Sequence, residues 1–215
     1  MSTGAGVTPR PRATSDADIL AAANRIVLRV GPNLTLADVA REAGVSPATL
    51  VQRFGSKRGL LLALFSAGPS GEADMFAAIR AASKSALGAV VGIGECMAGM
   101  AQTPEALSNS LAFLQMDLVD PEFHALALAQ SRATQAEIVK LLDEALAARE
   151  LERCDTRKLA RTIQSLIGGS LVQWAIDRDT TALERIREDL DTLLRPRRRA
   201  PRKQRPRPRR KIARS

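Results

Sequence analysis

Between Thr35 and Phe54 the chain reads Thr-Leu-Ala-Asp-Val-Ala-Arg-Glu-Ala-Gly-Val-Ser-Pro-Ala-Thr-Leu-Val-Gln-Arg-Phe, and Gly-Ser-Lys follows. The polar groups gathered here are the hydroxyls of Thr35, Ser46 and Thr49, the amide of Gln52 and the cations of Arg53 and Lys57. Such a set suits hydrogen bonding and charge neutralisation, not bond cleavage. An amide can pair with the edge of a base, adenine being its favoured partner. A lysine at a helix start adds its charge to free N–H groups that already favour an anion. Catalytic signatures are absent from the sequence: there is no Gly-x-Ser-x-Gly, no His-Glu-x-x-His and no phosphate-cradling glycine loop.

Those side chains need two short helices held at a fixed angle. Thr35 with Asp38 three residues on predicts a capped helix start, and that helix runs to about Ala43. Gly44 supplies the positive φ of a tight turn, and Ser46-Pro47 starts the second helix. Ala40 is small enough for close approach, and Val39, Val45, Leu50 and Phe54 supply a shared core. Before them, Ser15 caps a helix that Gly31-Pro32 ends, and after them another begins at Ser56-Lys57. Helical pairs are common in bundles, and the Ala-x-x-x-Gly spacing alone would say little. Both caps, the preceding helix and the following Phe-Gly-Ser-Lys point instead to a helix-turn-helix whose second helix enters a major groove about 12 Å wide.

This stretch resembles the TetR family of transcription regulators. The residues that carry the resemblance are Thr35, Val39, Ala40, Ala43-Gly44-Val45-Ser46, Thr49-Leu50, Phe54, Ser56-Lys57 and Leu60, within about 16 to 65. It implies an all-α protein: an N-terminal three-helix DNA-binding domain, then a larger helical domain for effector binding and dimerisation. By position it implies that Pro47, Ala48 and Gln52 face the groove and that Thr49 meets a thymine methyl or packs. Thr35, Ser46, Arg53 and Lys57 are then phosphate contacts. Val51 stands where the family commonly has a tyrosine that reaches a phosphate. The resemblance implies a repressor released by a small apolar effector, acting as a homodimer on a pseudo-palindromic operator in double-stranded DNA.

The rest of the chain is read from composition and periodicity. Of 215 residues, 45% are apolar and 3% aromatic, which favours helices over sheets. The net charge of +9 sits in the tail: Arg195 to Ser215 holds twelve Lys or Arg and no acid, leaving the remainder at −3. Prolines and like charges predict disorder there, and a polyanion partner. Residues 1–14 read as a flexible arm whose Arg10 and Arg12 can reach a minor groove. The DNA-binding domain is placed at 15–68, stopped by Gly68-Pro69-Ser70-Gly71, and the helical domain at 69–194.

In that second domain the periodicity predicts helices over 73–101, from Thr103-Pro104 to Val119, from Asp120-Pro121 to Arg149, from Asp155 past Trp174, and over Leu183–Leu193. The broad stripe Leu159–Trp174 and the stripe Leu183, Ile186, Leu190 and Leu193 beside it predict a dimer seam, a four-helix bundle with a second copy, with Gly168-Gly169 allowing close approach. Phe76, Met97, Met100, Phe113, Met116, Phe123 and Trp174 are candidates to line an effector pocket, each also a plausible core residue. His124, Cys96 and Cys154 form neither a metal motif nor a disulfide framework, so no cofactor is expected. No stretch reads as a signal peptide or a membrane span, so a soluble, cytoplasmic protein is expected. Two other readings fit part of these features: an architectural, nucleoid-type DNA-binding protein dominated by the tail, and a helical protein-interaction module.

Overall fold

The computed structural model describes residues 14–101 and 103–198. Serine, threonine and aspartate caps divide this chain into helices. Ser15 accepts from the Asp18 N–H while Asp18 reaches back to the Ser15 backbone, which starts α1, Asp16–Val30. Thr35 and Asp38 repeat that exchange at α2, Leu36–Ala43, and Ser46 caps α3, Pro47–Phe54. Such caps each stabilise a helix start by about 1 kcal/mol. Ser56 opens α4, Lys57–Ala82, and Ser85 opens α5, Ala86–Met100. Then come α6 (Pro104–Leu111), α7 (Leu114–Val119), α8 (Pro121–Ala147), α9 (Thr156–Asp177) and α10 (Ala182–Leu194). The described residues contain no strand, so the fold is all-α.

Two apolar clusters form. The first, in the head, gathers Ile19, Ile26, Leu34, Val39, Leu50, Leu60 and Leu61, with Val45 and Phe54 packed against it. The second, in the body, is built by α5, α8, α9 and α10 around Ile93, Ile138, Leu142, Ile163, Ile167, Ile186 and Leu190. Burying each such side chain contributes about 1.5–3 kcal/mol. The head cluster is not closed by its own helices: Phe113 and Phe123, from the second half of the chain, are buried in it.

Several expectations change. The stop at Gly68–Gly71 is absent, and α4 runs unbroken from Lys57 to Ala82, joining head to body as one helix. The expected helix over 73–101 is therefore the end of α4, a break at 83–85, and α5. The segment from Thr103 to Val119 is two helices, parted at Ala112-Phe113. The breadth of the 159–174 stripe has a simpler cause than a dimer seam, because Leu159, Ile163, Ile167, Leu171 and Trp174 are buried inside the chain's own body.

The glycines of α5 do not mark a weak helix: a Cβ on Gly94 would lie 2.7 Å from Leu190 Cδ1 and 2.9 Å from Ile186 Cγ2, so α10 is seated against bare backbone there. The tail does not lose structure at Arg195. Arg195–Arg197 form a 3-10 turn, and the Arg197 carbonyl accepts from the Glu152 N–H at 2.8 Å. The arm up to residue 13 and the tail beyond Arg198 lie outside the described residues.

Candidate nucleic-acid interface

Gly44 holds the turn between α2 and α3 at φ +68°, ψ 32°, a left-handed conformation that glycine adopts without the penalty of a Cβ. Its neighbour Val45 returns an N–H to the Ala40 carbonyl at 3.0 Å, which locks the turn. Ala40 and Leu50 are fully buried where the two helices meet. With Leu50 pointing inward, α3 presents Pro47, Ala48, Val51 and Gln52 outward, all exposed. This face is largely apolar, and Gln52 makes no side-chain hydrogen bond among the described residues. Val51 is 49% exposed. Sequence reasoning treated it as a lost phosphate contact. It stands beside Gln52, one turn beyond Pro47, on the same exposed face of α3.

The hydroxyls expected at phosphates already serve the helix starts. Thr35 Oγ1 donates to Asp38 Oδ2 at 2.6 Å and accepts from the Asp38 N–H at 3.2 Å. The hydroxyl of Thr35 and its backbone N–H, which donates to Asp38 Oδ2 at 3.0 Å, hold the Asp38 carboxyl below its usual range, with Arg41 beside it adding to the effect. Ser46 Oγ accepts from the Thr49 N–H at 3.1 Å and lies 2.8 Å from Thr49 Oγ1.

The cations are likewise paired. Arg53 donates to the Thr14 carbonyl at 2.7 Å and to Asp16 at 3.1 Å, tying the end of α3 to the start of α1. Arg25 meets Glu42 at 2.7 Å. The Lys57 ammonium donates to the Pro32 carbonyl at 2.5 Å and keeps two further protons for another acceptor. Exposed ion pairs of this kind are worth about 0–1 kcal/mol, so a phosphate can take over a partner at little cost.

Arg58, which sequence reasoning passed over, links the interface to the body. Its guanidinium reaches Asp120 at 2.8 Å and Glu122 at 2.5 Å, and lies 5.5 Å from the centroid of the Phe123 ring. Hydrogen bonding from Arg58 holds the Asp120 carboxyl below its usual range, and Asp120 is also the N-cap of α8. No local signal marks this pair, whose members are 62 residues apart.

The seven residues proposed for an effector pocket are not brought together. Phe76 and Trp174 are buried in the body cluster with Met97 against them, while Phe113 and Phe123 sit in the head cluster with Met116. Met100 is 55% exposed. Three of them, Met100, Phe113 and Phe123, line one cleft of about 700 Å³ between α1, α4 and α8. His124 is exposed, and burial pushes the Cys154 thiol up, away from ready ionisation. Among the described residues no group of His, Cys, Asp and Glu could hold a metal ion, and no helix is long and apolar enough to cross a membrane.

The sequence profile of "Bacterial regulatory proteins, tetR family" matches residues 19–64, and that of "BetI-type transcriptional repressor, C-terminal" matches residues 92–197. No curated protein sequence matches the chain. Among solved structures, one described as a TetR-family transcriptional regulator from Rhodococcus sp. is 26% identical, with TM-score 0.59, over 83% of this chain and 97% of that one. One described as a transcriptional regulator from Saccharomonospora viridis in complex with choline is 21% identical, with TM-score 0.70, over 84% and 95%. The fatty acid degradation regulator from Bacillus halodurans is 15% identical, with TM-score 0.67, over 86% and 96%. The last two likenesses speak to fold alone.

Proposed function

This chain belongs to the TetR family of bacterial transcriptional regulators, and from that premise we propose that it is a repressor whose dimer grips a pseudo-palindromic operator and lets go when a small effector binds. DNA binding and regulation are what the family does. The operator contacts, the dimer seam and the effector are our own reading. The observation that carries it is the outward face of α3, where Pro47, Ala48, Val51 and Gln52 stand exposed on a helix anchored by Leu50. With one amide as its polar base reader, this face leaves part of the specificity to DNA shape.

The division of labour follows the two clusters. Residues from Ser15 to about Phe65 read DNA, and the body from α5 to α10 dimerises. For the seam we propose the side of α9 facing away from the core, where a Cβ on Gly168 or Gly169 would stand in open space and Val172 and Ile176 are 38% and 69% exposed. An apolar strip beside bare backbone suits close packing against a second copy. Two α3 helices would then reach successive major grooves about 34 Å apart. That a neighbour of this fold was solved with choline supports a small-molecule effector here. The basic tail, outside the described residues, would add sequence-independent attraction to phosphates.

Mapping of bound sites across the source genome, followed by affinity measurements on single-base variants of the recovered site, tests the reading. Gln52→Ala is expected to relax preference at one base step by about 1–3 kcal/mol. An unchanged preference at every position would remove Gln52 from the interface, and the recovery of no preferred site would remove the regulator reading itself.

A further inference from the structure

The cleft between α1 and α8 is apolar along most of its wall. Leu20 and Val27 of α1, Phe65 of α4, and Phe113, Phe123 and Leu126 around α7 and α8 line this open cleft of about 700 Å³. Three neutral polar side chains, Asn24, Ser110 and Gln130, and one carboxylate break this lining. Asp117, on α7, is the one charged side chain among the described residues that line the cleft. It is half-buried, and among the described residues it makes no ion pair or side-chain hydrogen bond. Burial pushes its carboxyl up, and among the described residues no cation opposes the shift. Arg58, a cation in the same region, is engaged by Asp120 and Glu122.

We propose that this cleft takes a lipophilic monocation, an aryl- or alkylammonium, with Asp117 as its counter-charge and the Phe65, Phe113 and Phe123 rings as its seat. The proposal rests on the regulator reading and names the chemical class of its effector. A neutral apolar occupant would strip water from Asp117 and return nothing for it, which is costly. An anion would be repelled, and a divalent metal would find a single carboxylate where it needs several oxygens. An ammonium carried on an apolar body avoids all three penalties.

The rings are suited to it. Phe65, half-buried, meets Phe113 and Phe123 edge-to-face, with centroids 5.4 Å and 6.0 Å apart, and is the ring with surface left to offer an ammonium, since Phe123 is buried and already carries the Arg58 guanidinium. The position also gives the occupant a way to act. One wall is α1, which packs on α2 of the reading motif, and the opposite wall is α8 of the body. A molecule wedged between them favours a different setting of head on body, and it can shift the equilibrium only by its difference in affinity for the two settings.

Calorimetry on the full chain without DNA is the test. The probes are benzyltrimethylammonium, its uncharged carbon isostere neopentylbenzene, and benzenesulfonate. The cation should bind at least tenfold more tightly than the isostere, and the sulfonate should not compete with it. Asp117→Asn, which leaves no hydrogen bond unpaired, should erase the preference while neopentylbenzene binds as well as before or better. Asp117→Glu should keep the preference. Leu28→Trp, at the exposed rim, should weaken both ligands by filling the cleft, so the placement does not hang on one variant. Equal affinities for cation and isostere, a preference that survives Asp117→Asn, or cation binding indifferent to Leu28→Trp would each overturn the proposal. Operator binding by the ligand-free chain is read separately, and its failure would count against the regulator reading without touching cation binding.

Discussion

In the head, nearly every change of direction is set by a residue acting on its immediate neighbours. Ser15, Thr35 and Ser46 each cap the helix that follows them, and Gly44 turns the chain by its own left-handed φ. In the body, position is set by residues whose partners are far along the chain. Gly94 gives bare backbone to Leu190 and Ile186, nearly a hundred residues later. The head is thus locally specified and the body is specified by packing. The exception is the place where they meet. Phe113 and Phe123 belong by sequence to the body and by burial to the head, and α4 crosses between the two without a break.

The largest expected effect tests that exception. Phe123 is 1% exposed and touches both the Arg58 guanidinium and the Phe65 ring. Phe123→Ala should destabilise the chain by about 3–5 kcal/mol. Because α4 and these rings tie head to body, urea denaturation should still show one transition, displaced to lower denaturant. Two separated transitions would mean that the head folds on its own and that the junction is a mere contact.

A smaller effect separates local from packing control, using two glycines. Gly44 has nothing within 4 Å of where a Cβ would stand, so Gly44→Ala costs only the left-handed backbone, about 1–2 kcal/mol. Gly44→Asn should cost less, because asparagine tolerates that conformation. Gly94 is helical, so alanine there is favoured by roughly 1 kcal/mol in propensity and opposed by overpacking of about 1–3 kcal/mol. Leu190→Ala should relieve Gly94→Ala with a coupling above about 0.5 kcal/mol, and should leave Gly44→Ala unrelieved. Thermal or urea unfolding of the two double variants gives the answer. Strict additivity at both pairs would erase the distinction between head and body.

The same distinction decides what could be read from the sequence. Helix starts at Ser15, Thr35, Ser46, Thr103, Asp120 and Asp155 were legible because a cap is chemistry between neighbours. The passage of α4 through Gly68-Pro69-Ser70-Gly71 was not. Those residues disfavour a helix, and it persists because Leu60 and Leu61 are anchored in the head cluster and Phe76 in the body cluster. Residue type marked Phe113, Phe123 and Trp174 as pocket or core candidates but could not say in which cluster each would lie. In the reading motif, the outward face of α3 followed from the turn and the inward Leu50. The ion pairs of Arg53 with Asp16 and Arg58 with Asp120 did not, since their partners lie 37 and 62 residues away.

The smallest expected effect concerns a residue with both a local and a distant role. Lys57 begins α4, where unpaired N–H groups favour an anion, and its ammonium also donates to Pro32 in the turn before α2. If it neutralises a phosphate, Lys57→Ala should weaken binding to all DNA sequences alike. The slope of log affinity against log salt should then become shallower by about one unit. If it only fastens the turn at Pro32, unfolding should shift to lower urea while the salt slope stays as it was. We expect the slope to change, because two of its three protons remain for an acceptor beyond Pro32. Gln52→Ala is the control in the opposite sense: it should alter base preference and leave the slope alone. A pair of variants that changed both quantities together would show that positioning and reading are not divided between α4 and α3, and would shift the weight of recognition from contacts at α3 to the seating of the whole head.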